Sequence, residues 1–299
     1  MRPSGEERLD PTSGRPPGAL HAPRGPFPWW SSNPDKAWGE RWFLGYSLAW
    51  MLAVAVVIAT GWIHTWNDRG YLLFSLVVGG AAVVGPWAWP GRPGRNRPVW
   101  QAWWFKLNAW VLVLVTFGTY FGTHYFFDLM GMRYAFPVSW TWQAKVVGHT
   151  SQTVPVFMYP LTQAYFVTYY ALAPIALRRL GRSLRLGPWG RLGVALALGY
   201  AIAWAETFAM ASDALADYFA YADKGRMLRW GSLGYASYFV VGLPLVAQID
   251  EPPDEPPGEQ AHEPNRERWP LRAVLVQALA ACMLILCLLE VWAQLVGPL

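Results

Sequence analysis

Charge is what this chain has least of. Only 14% of its 299 residues are Asp, Glu, Lys or Arg, where a soluble domain carries about 25%. With 54% of the residues hydrophobic, that shortage excludes an ordinary soluble domain and gives a membrane-protein composition. Cysteine is almost missing as well. Cys282 and Cys287 are the only two, five residues apart in one apolar run, so they fall on different faces of a helix. No CxxC or Cys/His cluster accompanies them, which argues against a disulfide framework and a zinc site; both read as small apolar core residues. No apolar run carries an HxxxH or HxxE pair, so no metal is expected. There is no GxGxxG-type motif, no internal repeat, and no lysine in the last apolar run of the kind a retinal protein needs. Residues 1–28 hold no apolar stretch and are not a cleavable signal peptide.

What the chain does have is long uncharged apolar runs. They are Phe43–Trp62, Tyr71–Trp89, Ala109–Phe127, Val154–Leu177, Leu192–Met210, Trp230–Ile249 and Ala273–Leu289. A helix of about 20 residues spans a bilayer core, and these runs are far too long for barrel strands. The expectation is an all-α, polytopic membrane helix bundle of about seven transmembrane helices. Pro155, Pro160 and Pro174 predict a kink in the fourth. Tryptophans flank the runs at Trp38, Trp42, Trp62, Trp66, Trp87, Trp89, Trp103, Trp104, Trp189, Trp230, Trp269 and Trp292, the pattern of interfacial belts.

The net charge of +5 sits largely in inter-helix loops, so topology accounts for it and no nucleic-acid partner is expected. Arg92, Arg95 and Arg97 form one basic loop, and Arg178, Arg179, Arg182, Arg185 and Arg191 another. Both are expected on the cytoplasmic side, with the N-terminal tail. The domain reading is a disordered cytoplasmic tail at 1–37 and a membrane domain at 38–299. An acidic, Pro-rich linker at 250–271, containing EPPDEPPGEQ, precedes the last helix. The chain is expected to be a multi-pass protein of a bacterial inner membrane or the endoplasmic reticulum. Its sequence is silent on oligomeric state.

Ionisable residues inside spans are costly and are functional suspects by default. At helical spacing Lys106, Trp110, Phe117, Tyr120, His124 and Asp128 share a face of the third run. Gly199, Ala203, Glu206, Met210 and Asp213 share a face of the fifth, where the small pair permits close helix approach. His124 is about 27 Å along its helix from Lys106, and Glu206 about 22 Å from Arg191, at 1.5 Å per residue. Both therefore fall near one outward level. Glu290, Asp223 and Arg229 fall on that side too, and the five groups are expected to converge on one pocket. A structural hydrogen-bonding role is the rival for Glu206, as a satisfied structural imidazole is for His124.

The polar blocks resemble the cycloeucalenol cycloisomerase family, the cyclopropylsterol isomerases, over about Asn33 to Pro298. The matching blocks are NPDKAWGE (Asn33–Glu40), KLNAW (Lys106–Trp110), GTHYFFDLMGMRYAFP (Gly122–Pro137), ALRRL (Ala176–Leu180) and YAIAWAET (Tyr200–Thr207). DKGRMLRWG (Asp223–Gly231), IDE (Ile249–Glu251) and LEVWAQLVGP (Leu289–Pro298) follow in order. Co-linearity makes the set specific, where any one block alone would be weak.

The resemblance implies opening of the 9β,19-cyclopropane ring of a sterol drawn from the bilayer, giving a Δ8 sterol. A proton is delivered to C19, positive charge develops near C9, and the C8 proton leaves. No electrons are transferred, so no cofactor is expected. The acid must be neutral before it acts, and a carboxyl group withdrawn from water meets that need. Glu206 is the first candidate and Glu290 the second, with His124 as base or as tuner of the acid. Tyr120, Tyr125, Trp110 and Trp204 are candidates for flanking the cation, at about 2 kcal/mol or more per desolvated contact. Asp223 and Arg229 complete the expected substrate-binding set.

The pattern departs from the family at Val156, Gln163 and Tyr170, where plant members carry histidine, and at Asp128, where they carry lysine. Asp128 is therefore set aside as a partner for His124, and His149 lies in an inserted stretch without family support. The rival readings are a non-catalytic sterol or lipid binder or transporter, and a sterol double-bond isomerase.

Overall fold

The computed structural model describes residues 29–95, 97–145, 151–251 and 269–299. Most of the expected tail and linker, and His149, lie outside the described residues. Residues 29–37 do not: the fold begins before the boundary expected at 37. Asn33 caps helix α1 (Pro34–Ala59), its side chain accepting from the backbone N–H groups of Asp35 and Lys36 at 3.0 and 3.3 Å. Pro34, which has no N–H to leave unpaired, takes the first turn.

The chain is an all-α, polytopic bundle. After α1 come α2 (Asp68–Ala88), α3 (Trp103–Phe121), α4 (Met158–Ser183), α5 (Pro188–Met210), α6 (Lys224–Gln248) and α7 (Leu271–Val296). Among the described residues, six of these are long and apolar enough to cross a membrane; α4 is the exception. It is long enough, at 26 residues, but it packs against α1, α2, α3, α5 and α6. A helix so surrounded meets protein rather than lipid, and several of its polar groups find partners inside. Gln163 donates to the Asn108 backbone oxygen at 3.2 Å, Thr168 accepts from Ser47 and Trp50 at 2.9 Å each, and Tyr170 donates to the Tyr238 backbone oxygen at 2.6 Å. The fourth run also starts later than expected. Gln152–Pro155 is a strand, and the helix continues through Pro174 to Ser183.

The end of α3 departs from regular geometry in a way that matters below. Phe117–Phe121 and Tyr125–Leu129 are π turns, closed by Gly122 N–H to Phe117 O at 3.0 Å and Met130 N–H to Tyr125 O at 2.9 Å. Such a turn holds one residue more than an α turn, so side chains beyond it point to different faces from those that a 3.6-residue period gives. Gly131 then turns the chain at φ 67, with Ala222 so close that a Cβ would lie 2.8 Å from its Cβ.

Two short antiparallel ladders, absent from the expected fold, follow from that turn. β1 (Met132–Tyr134) pairs with β4 (Phe219–Tyr221), and β2 (Thr141–Ala144) with β3 (Gln152–Pro155). In the first ladder Arg133 and Ala220 face out while Met132, Tyr134, Phe219 and Tyr221 face in, the period of two that a half-buried pair requires. Asp68 at the start of α2 accepts from the N–H groups of Ser139 and Trp140, each at 2.7 Å, and so fixes the loop into β2.

At the opposite end the basic loops meet a buried ionic cluster. Lys106 and Asp250 pair at 2.6 Å, each side chain 1% exposed. Lys36 bridges to Glu251 at 3.0 Å and donates to the Ala247 and Ile249 carbonyls. Arg178 holds Glu40 at 2.8 Å and Glu251 at 3.1 Å, and Asp35 accepts from the Trp103 N–H at 2.9 Å. Four separate blocks, NPDKAWGE, KLNAW, ALRRL and IDE, thus come together at one place. The tryptophans divide: Trp62, Trp87, Trp89, Trp189 and Trp230 are exposed as a belt requires, but Trp103, Trp104 and Trp292 are buried. Trp103 lies where a side chain on Gly39 would stand, 2.6 Å from a Cβ placed there, which is why that position carries none.

Candidate active site

Glu206 is placed by the small residues one and two turns before it. Ala203 is fully buried, and a Cβ on Gly199 would lie 2.9 Å from that of Phe239 on α6. The close approach brings the last turns of α5 against α6, where the Tyr235 hydroxyl donates to Glu206 Oε2 at 2.7 Å. Tyr169 of α4 stands beside the same carboxyl group. Three helices converge on one acidic side chain.

That side chain lies in the wall of a cavity between the helices. Leu114, Val115, Gly118 and Phe126 form one wall, and Met158, Tyr165 and Phe166 another. The inward faces of the first ladder close a third side through Met132, Tyr134, Phe219 and Tyr221, joined by Val154. The polar groups among the described lining residues are hydroxyls, from Thr119, Thr123, Thr162 and the tyrosines, together with the Glu206 carboxyl. No Lys, Arg, His, Asp or second Glu is among them. Burial pushes the phenols of Tyr134 and Tyr221 above their ordinary range, with the nearby Glu206 adding to the effect. Both therefore keep their hydrogens at neutral pH. Tyr238, 1% exposed, also lines the cavity, and its hydroxyl has no hydrogen-bond partner among the described residues.

Of the expected site residues, only Glu206 lines this cavity. The five ionisable groups share an end of the molecule but not a pocket. His124 Nδ1 lies 3.2 Å from Asp128 Oδ2, and Asp128 Oδ1 accepts from Gln152 at 2.6 Å. Setting Asp128 aside was thus mistaken: it is the partner four residues on. The first π turn accounts for the shift of His124, because beyond it Thr123 faces the cavity in its place. Glu290 is exposed and accepts from the Tyr125 hydroxyl. Trp110 is fully buried against Tyr170, ring centres 4.9 Å apart. Tyr120 packs on Phe121. Trp204 is 39% exposed and stacked on Phe208, facing away from the bundle. Asp223 caps the first turn of α6 by accepting from the Arg226 N–H at 2.9 Å, and Arg229 donates to the Gly225 carbonyl at 3.2 Å. Both are surface residues. Val156, Gln163 and Tyr170, the positions of departure from the plant pattern, are not among the lining residues either.

Sequence reasoning missed the tyrosines. Tyr169 on α4 and Tyr235 on α6 carried a signal, since a hydroxyl in an apolar span needs a partner. Glu206 is the partner of both.

A bundle with an aromatic-walled cavity between its helices, roofed by a β ladder and with one carboxyl group among its described lining residues, defines a polytopic membrane protein with a largely apolar internal cavity. No family model matches the chain, and no solved structure matches it. Cycloeucalenol cycloisomerase of Arabidopsis thaliana is 34% identical over 279 residues, 91% of either chain. The chain belongs to the cycloeucalenol cycloisomerase family.

Proposed function

We propose that this protein opens the 9β,19-cyclopropane ring of a cycloeucalenol-type sterol taken from the bilayer, giving a Δ8 sterol with a C19 methyl group. The observation that carries the reading is the Glu206 carboxyl, held by Tyr235 at 2.7 Å in the wall of an apolar cavity. Ring opening needs a proton at C19, and a carboxyl surrounded by hydroxyls and rings is a proton donor not already committed to a cation. The charge that develops at C9 is met by ring faces of the wall, among them Phe126, Phe166, Phe219 and Tyr235, each contact worth about 2 kcal/mol or more when desolvated. The roof of β1 and β4 keeps bulk water from the cation, which would otherwise be captured as an alcohol.

The test is expression in cells supplied with a 9β,19-cyclopropyl sterol, followed by sterol profiling. Conversion to a Δ8 sterol is expected. Persistence of the cyclopropane with folded protein present overturns the proposal. If the protein were a binder alone, Glu206→Gln would change nothing; in an isomerase it leaves sterol binding and removes turnover.

A further inference from the structure

We propose that Glu206 carries out both proton transfers of the ring opening, as acid toward C19 and then as base toward C8, with Tyr235 as its positioning residue. This rests on the reading that a 9β,19-cyclopropyl sterol is the substrate.

The chemistry narrows the choice first. The atom that gains hydrogen, C19, and the atom that loses it, C8, are both bonded to C9. In a sterol nucleus the C8 hydrogen is β, on the face that carries the 9β,19 bridge. Acid and base therefore work on one face, a single carbon apart, within reach of the two oxygens of one carboxyl group. The cavity narrows it further. Among the described lining residues the Glu206 carboxyl is the only acid stronger than a hydroxyl, and there is no imidazole, amine or thiol. The two candidates for a separate base are engaged outside the cavity, His124 with Asp128 and Glu290 with Tyr125.

The step balances without another group. The Glu206 O–H bond breaks as a C19–H bond forms from the electron pair of C9–C19, leaving positive charge at C9. The C8–H bond then breaks, its electron pair closes the C8–C9 double bond, and its proton returns to the Glu206 carboxylate. The enzyme ends the cycle in the state in which it began. The Tyr235 hydroxyl donates to Oε2, with Tyr169 beside the same carboxyl. Tyr235 thereby holds the carboxyl in one orientation toward the cavity.

The experiment is a panel of full-length variants in lipid vesicles with a 9β,19-cyclopropyl sterol, turnover being normalised to folded, sterol-binding protein. Glu206→Gln is expected to lose more than about a thousandfold, the scale of a lost general acid–base group. His124→Ala, Glu290→Gln, Tyr134→Phe, Tyr165→Phe, Tyr169→Phe, Tyr221→Phe and Tyr238→Phe are each expected to stay within about thirtyfold of wild type. The same holds for His149→Ala, included because that residue lies outside the described ones. Where a variant does not fold, a second substitution at that position (His124→Gln, Glu290→Ala, Tyr→Leu) takes its place. A second folded, sterol-binding variant as inactive as Glu206→Gln would identify a separate base and overturn the proposal. Tyr235→Phe is expected to lower kcat at unchanged KM, as loss of orientation should; a change in KM alone would make Tyr235 a wall residue. If wild-type protein converts no cyclopropyl sterol, the substrate reading falls, and this one with it, before any variant is compared.

Discussion

The two ends of this bundle both hold carboxyl groups among their helices, and they treat them in opposite ways. At the end bearing the basic loops, Asp35, Glu40, Asp250 and Glu251 meet Lys36, Lys106, Arg178 and backbone N–H groups at 2.6 to 3.1 Å. At the other, Glu206 meets the hydroxyl of Tyr235, with Tyr169 beside it, and no cation among the described lining residues. A buried ion pair with its remaining lone pairs satisfied fixes geometry and has no proton to give. A carboxyl group among neutral donors can gain or lose one. The same residue type builds a lock at one end and, in the function we propose, a reagent at the other, and the partners decide which.

Five variants probe that contrast. Glu206→Gln should abolish turnover, by more than about a thousandfold, while leaving thermal unfolding in detergent near that of wild type. A large fall in Tm would make Glu206 part of the lock instead. Lys106→Met should do the reverse: an unpaired buried Asp250 costs about 3–5 kcal/mol, read as a lower unfolding midpoint, with activity per folded molecule retained. The double variant Lys106→Met/Asp250→Leu should recover most of that loss, and failure to recover would show that Asp250 matters mainly through the Trp269 N–H that it accepts. Gly199→Leu should cost about 1–3 kcal/mol by overpacking and also lower kcat, because α5 and α6 are pushed apart at the helix pair that sets Glu206 against Tyr235. Smallest is Asn33→Ala, about 1 kcal/mol from the lost cap, with turnover untouched.

Much of the bundle was legible in the chain. Uncharged runs locate the helices because a bilayer admits little else, and Gly199 with Ala203 announced the packing that positions Glu206. The central helix was legible as a span but not as an interior one, since the polarity of Gln163 and Thr168 has meaning only when their partners on α1 and α3 are known. The β ladders were hidden because three- and four-residue strands leave almost no periodic signal. His124 was read at the right level and on the wrong face. Projection along a helix assumes a constant turn, and the residues between Phe117 and Leu129 break it twice. The ionic cluster was scattered over four blocks too far apart in the chain to be read as one object.

The first of those two wide turns gives the outer part of α3 a tolerance of length that the regular part lacks. Removing one residue between Gly118 and Phe121 would let the first wide turn close as a regular one, with Gly122 bonded to a carbonyl four positions back instead of five. Everything beyond it would keep its place, and Thr123 would still face the cavity. Removing a residue from the regular stretch before Phe117 has no such slack to use, and would rotate all that follows by about 100°, the angle per residue of an α-helix. The wide turn is a spare residue stored in the helix, a place where the chain can shorten by one without disturbing the cavity.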